Sequence, residues 1–588
     1  MKKISIAILL FTSLVACKKN SSFLDGQAIA LDETAVFTDS ARTVAFLTGI
    51  YSDIAFSFNK GRWNSHGNTE QATDDAEYNF SGTGQAAVVL YNGSISPTAY
   101  LNLNNVLLDF WNTPYANIRR ANILLSKLPT TPLSADMQTR MKGETRFLRA
   151  WYYTQLVICY GGLPIVKDNV YGKDDIIDLP RESFANTIKY ISSELDAAAA
   201  LLPDVYTNSL DYGRVTKGAC LALKSRLLLY AASPLFNGGA TTTDPSLAAI
   251  VSYPSANTSY WQAAADAANA VINSNQFSLL VDNTTAPGYG FFNVFLQRVN
   301  PEYIFGYYRA PNRDMEVFYN PPTRGGAKNS MATQDLVDAF PMKNGRQPLN
   351  ADGTVNASSG YNPADPYSNR DPRFNYSIIY NGANYFSTTT NSKVPVFTYV
   401  NGTGATGQTA DAFGVGTTTG YFSRKMCDDA ISANSSANTN RAWPLIRYAE
   451  ILLNYAEAIN ETGQTALAYP KLIELRKRAG IDPGADALYG LKANMTVAEM
   501  REVIRNERRI ELAFEDHRWH DIRRWKIAMT VSNQYNSVMR VTKNANGSYT
   551  YDRLKSIRLH SFRPEMHLLP LPDGEVRKMP SMVQNPGW

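Results

Sequence analysis

The densest set of ionisable side chains lies between positions 505 and 524, where Glu507, Glu511, Glu515 and Asp521 stand among Arg505, Arg508, Arg509, Arg518, Arg523 and Arg524. Two neighbouring carboxylates are what glycoside hydrolysis requires, one as acid and one as base or nucleophile. Helical geometry argues against that use. At about 100° per residue, Glu507 and Glu511 fall on the face that carries Met500, Val503, Ile504 and Phe514, the face a helix turns to its core. A carboxylate there must be neutralised by bidentate arginine, and Arg518 in the next segment is placed to supply it. Thr496 and Glu499 have the spacing of a capping box that starts this helix. The expectation is a structural motif of Glu507, Glu511, Arg518 and Trp525, with no catalytic residue.

His517 and His520, three residues apart beside Asp516 and Asp521, lack the further ligands a metal site needs. Asp74 and Asp75 could hold a hard cation, but a solvated acidic turn is the simpler reading. There is no phosphate-cradling glycine loop after a strand and no nucleophile elbow. No metal and no cofactor are expected.

Binding has better candidates. A sugar ring packs its C–H face on an aromatic ring while its hydroxyls need polar partners, so aromatics in polar loops are informative. One such stretch gives Trp63, Asp75, Tyr78 and Tyr91; a second gives Tyr308, Asn312, Arg313, Phe318 and Tyr319.

These residues must be carried by a scaffold, and helical periodicity places helices near Leu103–Leu128, Ala135–Tyr160, Ser183–Leu202, Thr216–Ala232, Tyr260–Ser274, Ile446–Glu461, Ala466–Ala479 and Thr496–Phe514. Short turns such as Leu128–Pro132 join some of them as hairpins, which can stack side by side as helical repeats do. From 381 to 440 the chain changes to Thr, Ser, Asn, Gly and Ala with scattered Tyr and Phe, the composition of loops with short strands. The fold class expected is mainly α, with a helical-repeat scaffold interrupted by an irregular, loop-rich subdomain. The divisions are 1–16, 17–284 (helical), 285–440 (loop-rich, ligand-binding) and 441–588 (helical).

The first division reads as a secretory signal: Lys2 and Lys3, an apolar run from Ile4 to Ala16, then Cys17. The run is well short of the roughly 20 residues that cross a bilayer. Leu14-Val15-Ala16-Cys17 has the form of a bacterial lipoprotein box, in which Cys17 would be acylated, palmitate among the chains it would carry, and would anchor the protein without spanning the membrane. Cys159, Cys220 and Cys427 show no disulfide or metal spacing, and the first two sit in apolar helical patterns. With 57 basic and 52 acidic residues the charge is nearly balanced, and nothing in it points to nucleic acid.

Several segments then argue together. Glu144–Tyr153 leads to Tyr160-Gly161-Gly162-Leu163-Pro164; Gly213–Lys217 leads to Arg226–Pro234; Asn369–Phe374 follows; Arg505–Glu515 precedes Arg518, Asp521, Arg524 and Trp525; the end is Gln584–Trp588. This ordered set, behind a lipoprotein box, resembles the SusD/RagB family of outer-membrane nutrient-binding lipoproteins. The resemblance implies a tetratricopeptide-like scaffold with a looped binding region, seated on a SusC-like TonB-dependent barrel. It also implies no catalysis, and an oligosaccharide or, alternatively, a peptide as ligand; a surface glycoside hydrolase is the remaining alternative. The resemblance implies a place on the outer membrane, lipid-anchored and on the extracellular face, although after Cys17 stands Lys18-Lys19-Asn20, not the acidic run associated with surface export in some of these bacteria.

Overall fold

The computed structural model describes residues 33–55, 67–79, 85–98, 109–172, 174–239 and 241–588; the signal segment, Cys17 and Trp63 lie outside them. The helices begin where the sequence supplies caps. Helix α1 (Ser40–Tyr51) starts at Asp39, whose carboxylate accepts from the Arg42 amide. After α2 (Asp109–Lys127), Ser134 caps α3 (Ala135–Tyr160), Ser183 caps α4 (Phe184–Ala199), Thr216 caps α5 (Lys217–Ala232) and Asn257 caps α6 (Thr258–Asn273). Each side chain takes up one of the amides that a helix start leaves open, a contribution of about 1 kcal/mol.

Helices α2 to α6 pack each on the next, and α6 packs on α8 (Tyr448–Glu461), which in turn carries α9 (Tyr469–Arg478) and α10 (Val497–Glu511). The short α7 (Asp314–Tyr319) precedes α8 in the chain, and α11 (Arg518–Arg524) and α12 (Asp573–Lys578) follow α10. The mainly α architecture and the eight helices expected from periodicity are present, with ends shifted by a few residues; the expected start of the first, at Leu103, lies outside the described residues. Gly143 shows why a glycine sits inside α3: a Cβ there would lie 2.8 Å from Leu202 Cγ, so its absence lets the end of the α4 segment close on α3. The core runs through the stack, with Phe147, Trp151, Tyr152 and Leu156 buried, each such side chain contributing about 1.5–3 kcal/mol.

The strands are short until the C-terminus. β1 (Ala76–Tyr78) pairs antiparallel with β3 (Ser330–Ala332), and β2 (Tyr303–Tyr308) with β5 (Ala442–Arg447). β4 (Val400–Asn401) runs parallel to β6 (Tyr535–Lys543), which forms a hairpin with β7 (Tyr549–Leu559). The loop-rich segment from 285 to 440 therefore contains the short strands expected and is stitched by them to both flanks. The hairpin lies in a segment expected to be helical. Its signal is Asn546-Gly547 between alternating apolar and polar runs, a pattern that specifies a hairpin. Beneath it lies a second apolar cluster including Leu336, Phe340, Phe374, Ile510 and Phe514. Among the described residues no helix is long and apolar enough to cross a membrane.

Candidate functional site

The carboxylates that invite a catalytic reading are sealed in the interior. The capping box of Thr496 and Glu499 starts α10 as expected, and Glu507 and Glu511 are fully buried. Arg373 Nη2 lies 2.7 Å from Glu507 Oε1, and Arg476 Nε donates to Glu507 Oε2 at 2.8 Å. Glu511 is shared by Arg373, Arg447 and Arg478, with Arg373 at 2.8 Å and Arg447 at 2.7 Å. Arg447 also reaches Glu302 at 2.7 Å and Glu515 at 2.6 Å. Burial alone would raise these carboxyl groups, yet the arginines hold Glu507, Glu511 and Glu515 below the usual glutamate range. A general acid needs the opposite shift. Burial also lowers the Lys425 ammonium to about 8, although its Nζ donates to Glu515 at 2.6 Å.

Glu507 and Glu511 are thus enclosed by arginines, and those arginines differ from the one nominated. Arg518 grips Asp74 through two bonds of 2.8 and 2.9 Å. The reason is local: α10 ends at Glu511, and Phe514 and Asp516 take left-handed conformations (φ 62° and 64°) that redirect the chain before α11. Such residues cost about 1–2 kcal/mol each, and the ion pairs of Glu515 between them hold the turn. Trp525 is buried and donates from Nε1 to Glu457 at 2.7 Å. Sequence reasoning singled out the Asn369–Phe374 segment without a partner for it; the partner is this cluster, through Arg373.

The first aromatic stretch is mostly enclosed. Asp74 and Asp75 are buried, not solvated, because Arg509 reaches both, at 2.9 and 2.6 Å. Tyr78 is fully buried against Gly67, and its register partner on β3 is Ser330. Tyr91 is 8% exposed and stacks on His560 with ring centres 5.0 Å apart. Asp75 is thus taken up by Arg509 of α10, Tyr78 by the turn at Gly67 and Tyr91 by His560 just after β7, leaving almost no surface for a ligand. In the second stretch Phe318 and Tyr319 are fully buried, with Tyr319 packed on Phe514. They too are core: all of α7 but Val317 is buried, so both rings are enclosed whichever way they point.

Tyr308, Asn312 and Arg313 remain at the surface. The Asn312 and Thr439 backbones exchange hydrogen bonds of 3.1 and 3.0 Å, and Arg313 donates from Nε to the Ala433 carbonyl at 3.1 Å. Tyr308 lines a cleft of about 200 Å³ with Tyr206, Tyr212, Arg214, Thr216 and Gln276. Tyr212 stands edge-on to Tyr308, ring centres 5.6 Å apart at 83°. Gly213 lies between them at φ 91°, where a Cβ would come within 2.6 Å of the Tyr308 ring. Tyr206 is fixed from behind: its hydroxyl donates to the Val215 carbonyl at 2.8 Å, and Arg140 lies 5.1 Å over its ring, held by Asp211. Burial keeps the Tyr308 hydroxyl well above its ordinary range, so it stays a neutral donor and acceptor. Sequence reasoning missed Tyr206 and Tyr212, although they sit in a Thr-Asn-Ser-Asp-rich segment that meets the criterion used for the other stretches.

A larger groove of about 600 Å³ runs between α2, the 164–179 loop and α12. It is a poorer fit for a polar ligand. Trp111 is only 3% exposed, and two of the charged side chains around the groove are engaged locally, Asp175 with the Gly172 amide at 2.6 Å and Lys578 with Glu575 at 2.9 Å. The Tyr308 cleft, with aromatic rings beside polar side chains, is the candidate site.

Comparison with known proteins agrees with this architecture. Residues 300–588 match the family described as SusD family, and residues 30–229 match the one described as starch-binding, associating with outer membrane. SusD-like protein P2 of Formosa agariphila is 32% identical over 160 residues, 27% of this chain and 28% of that one. SusD-like protein P38 of the same organism is 25% identical across 91% of this chain and 94% of its own length. The crystal structure of a SusD-like protein from Bacteroides fragilis superposes with a TM-score of 0.75 at 25% identity, covering 95% of this chain and 99% of that one.

Proposed function

The chain belongs to the SusD/RagB family, and from that premise we propose that it is a non-catalytic lipoprotein of the outer membrane that captures an extracellular oligosaccharide and passes it to a TonB-dependent barrel. Cys17 carries the lipid, and the anchored domain stands on the outer face. The observation that carries the binding role is the Tyr308 cleft, where tyrosine faces and edges stand beside hydroxyl, amide and guanidinium groups. That combination suits sugars, whose apolar faces and hydroxyls must be satisfied together. The starch-binding description of the matching family supports a glycan over a peptide. The burial of Glu507 and Glu511 supports binding without hydrolysis. Asn312 and Arg313 extend the site beyond Tyr308, and Trp63 is kept as a contact on sequence grounds.

Calorimetry of the purified protein against matched panels of oligosaccharides and peptides tests this. Binding of a glycan that weakens in a Tyr212→Ala variant is the expected result. Heat with peptides alone, or with neither panel, would overturn it.

A further inference from the structure

We propose that the saccharide taken by the Tyr308 cleft is acidic, bearing carboxylate or sulfate groups that Arg298 and Arg313 receive. This rests on the reading of the cleft as the glycan site and adds the charge of its ligand.

The argument begins with pairing. Arginines in and behind the cleft wall are matched: Arg140 and Arg214 share Glu144 and Asp211, at distances from 2.8 to 3.2 Å. Arg309 pairs with Asp314 at 2.6 Å, and the nearby Lys217 with Asp204 at 3.8 Å. Arg298 and Arg313 break the pattern. Arg298 lies 5.0 Å over the Tyr308 ring and spends one Nη1 bond, at 2.7 Å, on the Arg309 carbonyl. Arg313 bonds the Ala433 carbonyl and, at 3.2 Å, the Asn438 side-chain oxygen. Neither has a carboxylate within 4.0 Å among the described residues. Both are partly exposed, so N–H groups remain for a partner from solvent.

Arg298 borders the cleft through the Tyr308 ring, and Arg313 lies beyond its lining, reached through Arg309 and Asp314. Tyr308 carries Arg298, Arg298 holds the backbone of Arg309, and Arg309 pairs with Asp314, next to Arg313. An aromatic face beneath a guanidinium fixes the cation in place without neutralising it. A guanidinium so held presents a planar fork that matches a carboxylate or a sulfate with two parallel bonds. A neutral glycan would leave that charge unused. An acidic chain long enough to reach from Tyr308 to Arg313 meets a cation at each.

The test is calorimetry of the full protein with tetragalacturonate, a sulfated galactan tetrasaccharide and neutral galactotetraose, at low salt and near 0.3 M NaCl. One acidic ligand is expected to bind at least about tenfold more tightly than the neutral one, with the advantage shrinking in salt. Which acidic arm wins separates carboxylate from sulfate. Arg298→Gln should weaken acidic binding about tenfold more than it weakens neutral binding, while Arg298→Lys keeps part of the preference. Melting temperatures of the variants matched to the parent rule out misfolding as the cause. Equal affinity for neutral and acidic ligands would overturn the charge assignment and leave the glycan site standing, as would unchanged acidic binding in both Arg298→Gln and Arg313→Gln. No binding by any of the three, or binding untouched by Tyr212→Ala, would overturn the cleft reading, and this inference with it.

Discussion

Arg373 Nη1 donates to Oε2 of Glu511 at 2.8 Å, joining two points 138 residues apart in the interior of the protein. Glu511 is also the meeting point of Arg447 and Arg478. Replacing it with glutamine removes the one carboxylate that, among the described residues, all three guanidinium groups share. The expected loss is about 3 kcal/mol, the low end for a broken buried pair, because Arg373 keeps Glu507, Arg447 keeps Glu302 and Glu515, and Arg478 keeps Glu302. Urea denaturation measures it. A Glu511→Gln variant with an unchanged midpoint would end the view of this cluster as a structural lock.

Glu70 introduces an opposing pH dependence. Burial, then the neighbouring charges of Asp75 and Asp516, push its carboxyl well above the usual value of 4.5, against weaker help from the Asp516 amide, 2.9 Å from Oε1, and from Lys425. A group whose folded value is raised stabilises fully below its unfolded value and loses that contribution as pH rises through the folded one. The low-lying Glu507, Glu511 and Glu515 do the reverse, contributing above about 4.5 and failing as the pH drops. Melting curves should therefore fall on both sides. Glu70→Gln, which keeps the acceptor for the Asp516 amide, should flatten the alkaline side, melting above the parent at pH 8 with the gap closing toward pH 4.5. Identical profiles for the two proteins would contradict the burial of a raised carboxyl there.

Anchoring by Cys17 predicts a partition. With its leader intact and expressed in a bacterium that processes lipoproteins, the protein should enter the detergent phase of a Triton X-114 separation, and Cys17→Ser should remain in the aqueous phase. Acyl chains contribute roughly 0.8 kcal/mol for each buried methylene, so a multiply acylated cysteine would not leave a partial effect. Equal partition of both forms would remove the lipid anchor from the proposal.

The scaffold was legible because its signals are local. Ser134, Ser183 and Thr216 cap the helices they precede, and apolar residues repeat at helical spacing behind them. The burial of Glu507 and Glu511 was legible too, because which face of a helix turns inward follows from its period. Their partners did not follow: Arg373 and Arg447 come from distant segments, and which arginine reaches which glutamate depends on tertiary packing. The same limit explains Phe318 and Tyr319, which read as loop aromatics and are core. Tyr206 and Tyr212 meet Tyr308 only when the turn after α4 folds against β2, a pairing that no local pattern encodes.

Gly213 is where that meeting is most exposed to test. Its φ of 91° suits glycine, and a Cβ would stand 2.6 Å from the Tyr308 ring, well inside any real contact. Gly213→Ala should therefore displace Tyr308 from the edge of Tyr212, at a cost of about 1–3 kcal/mol in stability. Tyr212→Ala removes the partner without that strain, because its ring is 38% exposed. If the two rings form one binding wall, both variants should lose glycan affinity by roughly 3- to 10-fold, the scale of one aromatic contact, while only Gly213→Ala should also lower the melting temperature. Calorimetry and thermal melts on the two variants separate the effects. Full affinity in both would mean that the ligand does not touch these rings, and the site would have to be sought elsewhere on the scaffold.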